Sequence, residues 1–127
     1  MIQEDKELLL KDFCGRMTYN TKIQLTEYSV TGKKLPSEIK ILDYCMLGGV
    51  QAYCKGFRKD EVKPYLFPLS SMTPKQKAEL AHLTADIDGI FEQVLAEIEF
   101  YHRHHIDYRG LIEMGLAIDA TGLGIYE

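Results

Sequence analysis

The sequence has no CxxC pair, no excess of positive charge and no run near the roughly 18 apolar residues that a membrane span needs. Each gap excludes a class of protein. Cys14, Cys45 and Cys54 are an odd set without paired spacing, which points to reduced thiols in a cytoplasmic protein rather than to a disulfide framework. Met1 to Lys6 lacks the basic start of a signal peptide, so the chain is expected to stay in the cytoplasm, with no membrane partner. Nineteen acidic against fifteen basic residues give a formal net charge of -4, which offers no global attraction to nucleic acid or anionic lipid and makes another protein the expected partner. Ser70 and Ser71 lie outside any G-x-S-x-G elbow, and the glycines form no phosphate loop. No cofactor is implied. With no internal repeat or low-complexity linker, and 46% hydrophobic residues in 127, residues 1–127 read as a single domain with one core.

What the sequence does have is a sharp division of pattern. Pro64 and Pro68 remove two backbone donors, and Thr73, Pro74 and Gln76 together spell an N-cap, a first helical proline and a capping box. The strand-rich half therefore runs over about 18–72 and the helical half over about 73–118. Ahead of the strands, Glu4 to Met17 reads as a helix with Leu9, Leu10, Phe13 and Met17 on one side, and Gly15 is expected to end it. Thr21 to Val30 alternates, with Ile23 and Leu25 facing one way and Lys22, Gln24 and Thr26 the other. Glu38 to Met46 and Val50 to Phe57 form a hairpin around Gly48-Gly49. In that register Ile41, Cys45, Leu47, Val50, Ala52 and Cys54 share the core side, and Tyr44 and Tyr53 lie on the other. Val62 to Leu66 is a short edge strand, where Pro64 is tolerable. After Thr73, Leu80, Leu83, Ile87, Phe91, Val94, Ile98 and Tyr101 recur at spacings of three and four over roughly 30 residues. Gly89 is the weak point of that helix, where a kink or a break is expected. Asp107 caps a final short helix through Met114, with Leu111 and Ile112 inward and Gly115 at its left-handed end. Leu116 to Ile118 returns to the core, and Thr121 to Glu127 is a short, loosely held tail. The expected fold is α+β: about four antiparallel strands, as a small sheet or an SH3-like barrel, packed against a long C-terminal helix, with an N-terminal helix and a short final one.

Two groups of residues could carry function. Glu99, His102, His105 and Asp107 concentrate imidazoles and carboxylates, and the Glu99–His102 spacing of one helical turn is used by carboxylate-bridged metal centres. The ligand set is incomplete, because the remaining distant histidine, His82, lies about five turns away along the helix. The plainer alternative is a polar helix end, where histidines and Arg103 favour the negative pole of the dipole. Tyr44, Tyr53, Tyr65 and Phe67 form an aromatic group that suits a protein surface or unstacked bases, and also plain cross-strand packing. Arg109 is a further candidate contact.

Three blocks together resemble a family of small uncharacterised proteins from gut Bacteroidetes and their phages or prophages: Leu8 to Met17, Lys63 to Thr73, and His105 to Ile112. Met17-Thr18-Tyr19-Asn20 departs from the leucine-proline-tyrosine-glycine that members carry at the corresponding turn. The resemblance implies a cytoplasmic, phage-related accessory protein and carries over no catalytic residue. The first functional expectation is thus a non-catalytic protein-binding module that uses the sheet and the Pro64 to Met72 segment, with Tyr44, Tyr53, Tyr65, Phe67 and Arg109 in contact. The alternatives are a metal-dependent enzyme built on Glu99, His102, His105 and Asp107, and an RNA-binding small barrel.

Overall fold

The computed structural model describes residues 3–26, 31, 33–42 and 61–126. The Gly48-Gly49 hairpin, with Cys45, Cys54, Tyr44 and Tyr53, lies outside the described residues.

Helix α1, Gln3–Arg16, starts with Glu4 and Asp5 at the positive pole of its dipole. It buries Leu9, Phe13 and, just past its end, Met17. Gly15, expected to end this helix, lies within it for a different reason. A Cβ there would come within 2.7 Å of His102 Cε1, so the missing side chain is what lets the imidazole approach the helix.

Strand β1, Lys22–Thr26, carries Ile23 and Leu25 into the core and pairs antiparallel with β2, Glu38–Ile41, and with β3, Glu61–Pro68. Ile41 departs from the expected core side. It pairs with Lys22, and Ile39 with Gln24, on the face opposite Ile23 and Leu25, and both isoleucines are about half exposed, at 49% and 54%. The chain enters the core one residue later, at buried Leu42.

β3 is longer than expected, and it is not an edge. It also pairs, in parallel, with two-residue strands β4, Ile106–Asp107, and β5, Ile118–Asp119, so the sheet formed by the five described strands is mixed rather than antiparallel. Leu66 O accepts from Ala120 N, and Phe67 N donates to His105 O, both at 2.8 Å. Neighbouring residues of a strand direct these groups to opposite edges, so β3 is bonded on both. Pro64 shares the parity of Leu66, and its absent N–H falls on the β5 edge just ahead of Tyr65↔Ile118, where that pairing begins. An internal strand thereby tolerates proline. The described strands pair as this sheet, and their pairing supplies no support for an SH3-like barrel.

The expected long C-terminal helix is two helices. Thr73 and Gln76 make the reciprocal capping box, at 3.1 and 3.0 Å, and α2 runs Pro74–Ala85. The chain turns at Asp86 to Gly89, where Gly89 adopts φ 95°, a conformation that side chains resist, and α3 runs Ile90–Arg103. The Gln93 side chain donates to Ile87 O at 2.7 Å and fixes the turn. The expected final helix is also absent. Asp107 belongs to β4, and its carboxylate accepts from Leu111 N and Ile112 N, each at 2.9 Å, bracing a single turn that closes with Leu116 N on Leu111 O and Gly115 at φ 76°.

One core joins α1, the sheet, Leu111 and Leu116. A smaller cluster of Met72, Phe100 and Ile106, with Leu80 and Tyr101 against it, holds the base of the helical pair. The tail is not loose. Lys22 and Tyr65 would be the next β1–β3 pair, and there Tyr126 takes the place of the ladder. Its hydroxyl accepts from Lys22 N at 2.9 Å and donates to Tyr65 O at 2.6 Å.

Candidate functional site

The sequence-predicted metal ligands meet different partners. Glu99 is exposed on α3. His102 is buried against Gly15, with Nε2 2.8 Å from Tyr108 Oη and the ring tilted onto Tyr19. His105 sits past the helix end at φ 57°, stacks on Tyr126 at 3.9 Å between centroids, and places Nδ1 3.3 Å from Thr21 Oγ1. Asp107 is committed to the two backbone amides already described. Among the described residues no three His, Cys, Asp or Glu side chains converge to hold a metal ion. The fold thus uses this histidine-rich segment as a junction between α3, α1 and the tail.

Sequence reasoning missed the group beside it. Asp12 and Arg16 are both fully buried, one helical turn apart, with Arg16 Nε on Asp12 Oδ2 at 2.8 Å and Arg16 Nη2 on Ile106 O at 2.7 Å. Arg109 Nε approaches Asp12 Oδ1 at 3.4 Å, and both guanidinium groups lie over the Tyr108 ring, at 5.5 and 5.0 Å. Asp12 Oδ1, Arg16 Nη1 and Arg109 Nε have no hydrogen-bond partner among the described residues. Two cations thus share one carboxylate. Burial first, and then the Arg16 and Arg109 charges, push His102 down to about 4. Burial, Arg16, His104 and Lys22 do the same for His105, also to about 4. Both imidazoles are therefore neutral at pH 7. The overlooked signal was spacing: Asp12 and Arg16 fall at i+3 and i+7 from Leu9, on the apolar stripe of α1.

Of the expected partner contacts, Tyr65, Phe67 and Arg109 fall among the described residues, the first buried and the other two at clefts. Tyr65 is buried in β3, with its hydroxyl near Gln24 Nε2. Phe67 is half-buried against Tyr126 and lines a cleft of 520 Å³ with Ser71, Arg103 and His105. Arg109 is held by Asp12 and Tyr108, at the wall of a second cleft of 620 Å³. Cys14 is exposed on α1.

The conspicuous free surface lies elsewhere, on the helical pair. α2 has no buried residue, and α3 buries only Phe100 and His102 near its end. Ile90 is 81% exposed, Phe91 75%, Val94 47% and Leu95 48%, and Leu83 of α2 is also exposed. At 3.6 residues per turn the four α3 residues share one face. Glu97 falls on one border of it, seven residues from Ile90, and Glu92 and Glu99 on the other, three before and four after Leu95.

These elements define the class: an α+β protein with a small mixed sheet, from which a helical hairpin projects an apolar, acid-bordered face. No family model matches the chain, and no curated protein or solved structure is significantly similar to it.

Proposed function

We propose that the protein is a non-catalytic protein-binding module, an accessory protein of the kind its phage-related resemblance implies, and that it docks its partner on the α2–α3 hairpin rather than on the sheet. The observation that supports this is the row of large apolar side chains at Ile90, Phe91, Val94 and Leu95, exposed together on one helix face. Scattered exposed apolar residues need no explanation, but a contiguous row rimmed by polar groups is the ordinary form of a docking surface. α3 alone is about 21 Å long at 1.5 Å per residue, enough to lay several anchors along a partner.

Affinity capture from a host lysate, with and without nuclease, tests the assignment when the wild type is compared with Phe91→Glu and with Ile39→Glu on the exposed face of β2. A stoichiometric protein that survives nuclease, is lost with Phe91→Glu and is kept with Ile39→Glu is the expected result. Loss with Ile39→Glu alone would move the surface back to the sheet, and material released by nuclease would favour the RNA-binding alternative.

A further inference from the structure

The charge around the hairpin narrows the partner. From Ala78 to His102 there are six acidic residues, Glu79, Asp86, Asp88, Glu92, Glu97 and Glu99, and no lysine or arginine. Glu92, Glu97 and Glu99 border the apolar face on both sides, and Asp86 and Asp88 close its tip. A second copy docking antiparallel on the same face would bring the acidic tip of one hairpin, Asp86 and Asp88, toward the Glu97 and Glu99 end of the other, so the border that frames the face also disfavours self-association. An anionic lipid surface is rejected for the same reason. A helix with an apolar stripe and lysine or arginine along its edges satisfies both parts of the surface together, with aliphatic anchors on Phe91 and Val94 and cations on the flanking glutamates.

Building on the hairpin assignment, we infer that the α2–α3 hairpin is a receptor for a cationic amphipathic helix. The probe is a synthetic amphipathic peptide of about 18 residues, leucine on one face and lysine on the other, compared with an analogue carrying glutamate in place of lysine. Binding to the full chain is read by calorimetry and by shifts of the Ile90, Val94 and Leu95 methyl resonances. The lysine peptide should bind with an affinity that falls as salt rises, the glutamate peptide should not, and Phe91→Glu should weaken binding at least tenfold, circular dichroism confirming that the variant keeps its fold. Glu92→Lys combined with Glu99→Lys should shift preference toward the glutamate peptide. Equal binding of both peptides at these methyls would overturn the cationic partner and leave the hairpin surface standing. Methyl resonances unmoved by either peptide would overturn the surface itself. A concentration-dependent dimer of the bare protein, abolished by Phe91→Glu, would overturn the inference in favour of a second copy.

Discussion

Asp12 and Arg16 illustrate how a single turn of helix can set the character of an interior. A buried ion pair contributes little net stability, because desolvation offsets its attraction, yet losing one partner strands the other. Asp12→Ala leaves Arg16 and Arg109 together without a carboxylate, and a loss of about 3–5 kcal/mol is expected in urea denaturation. Asp12→Leu combined with Arg16→Met should recover most of that loss, and failure to recover would mean that Arg16 does more than balance Asp12. Burial, reinforced by the same positive charges, governs the pH response. The unfolded histidines bind protons near the ordinary value of 6.5, whereas folded His102 and His105 resist protonation down to about 4. Across that window the unfolded chain holds more protons, so stability falls as pH falls from 6.5 toward 4, by at most about 1.4 kcal/mol per pH unit for each histidine. Urea midpoints at pH 7 and pH 5 measure the slope, and His102→Gln should flatten it.

At the scale of elements, short-range chemistry was readable where it is self-contained. Thr73, Pro74 and Gln76 form their capping box wherever a helix starts, and Gly89 is a poor helix residue in any surroundings, so the start of α2 and the break before α3 could both be expected. β4 and β5 could not, since two residues carry no period. They are strands only because β3 offers them carbonyls and amides. The tail follows the same rule, since nothing local distinguishes Thr121 to Tyr126 from a frayed end. Its order comes from long-range contacts: the Tyr126 hydroxyl set between Lys22 and Tyr65, its ring on His105, and Lys22 Nζ on Ile125 O. Tyr126→Phe removes that bridge and leaves the Tyr65 carbonyl without its donor, which should cost about 1–3 kcal/mol. Hydrogen exchange of the amides from 119 to 126 should accelerate markedly, and unchanged exchange would show that ring stacking on His105 suffices.

For the whole molecule, what matters is which apolar face meets the core. Leu80, Leu83, Ile87, Phe91, Val94, Ile98 and Tyr101 read as one inward stripe of one helix, but with the chain folded back at Gly89, Leu80 and Tyr101 reach the small cluster at the base while Phe91 and Val94 face outward. Because Ile90 and Phe91 are so exposed, Ile90→Lys with Phe91→Glu should leave unfolding free energy within about 0.5 kcal/mol of wild type while reducing binding of a hydrophobic dye. A loss of several kcal/mol would place these residues in a core. The sequence by itself determined the α+β class, the first helix, the alternation of β1 and the capped start of α2, since propensity, period and capping act within a few residues. Only the tertiary structure decided that β3 is bonded on both edges and that the hairpin's apolar face is open. Those outcomes depend on which distant segments compete for the same backbone groups and the same buried surface, and no local pattern encodes that competition.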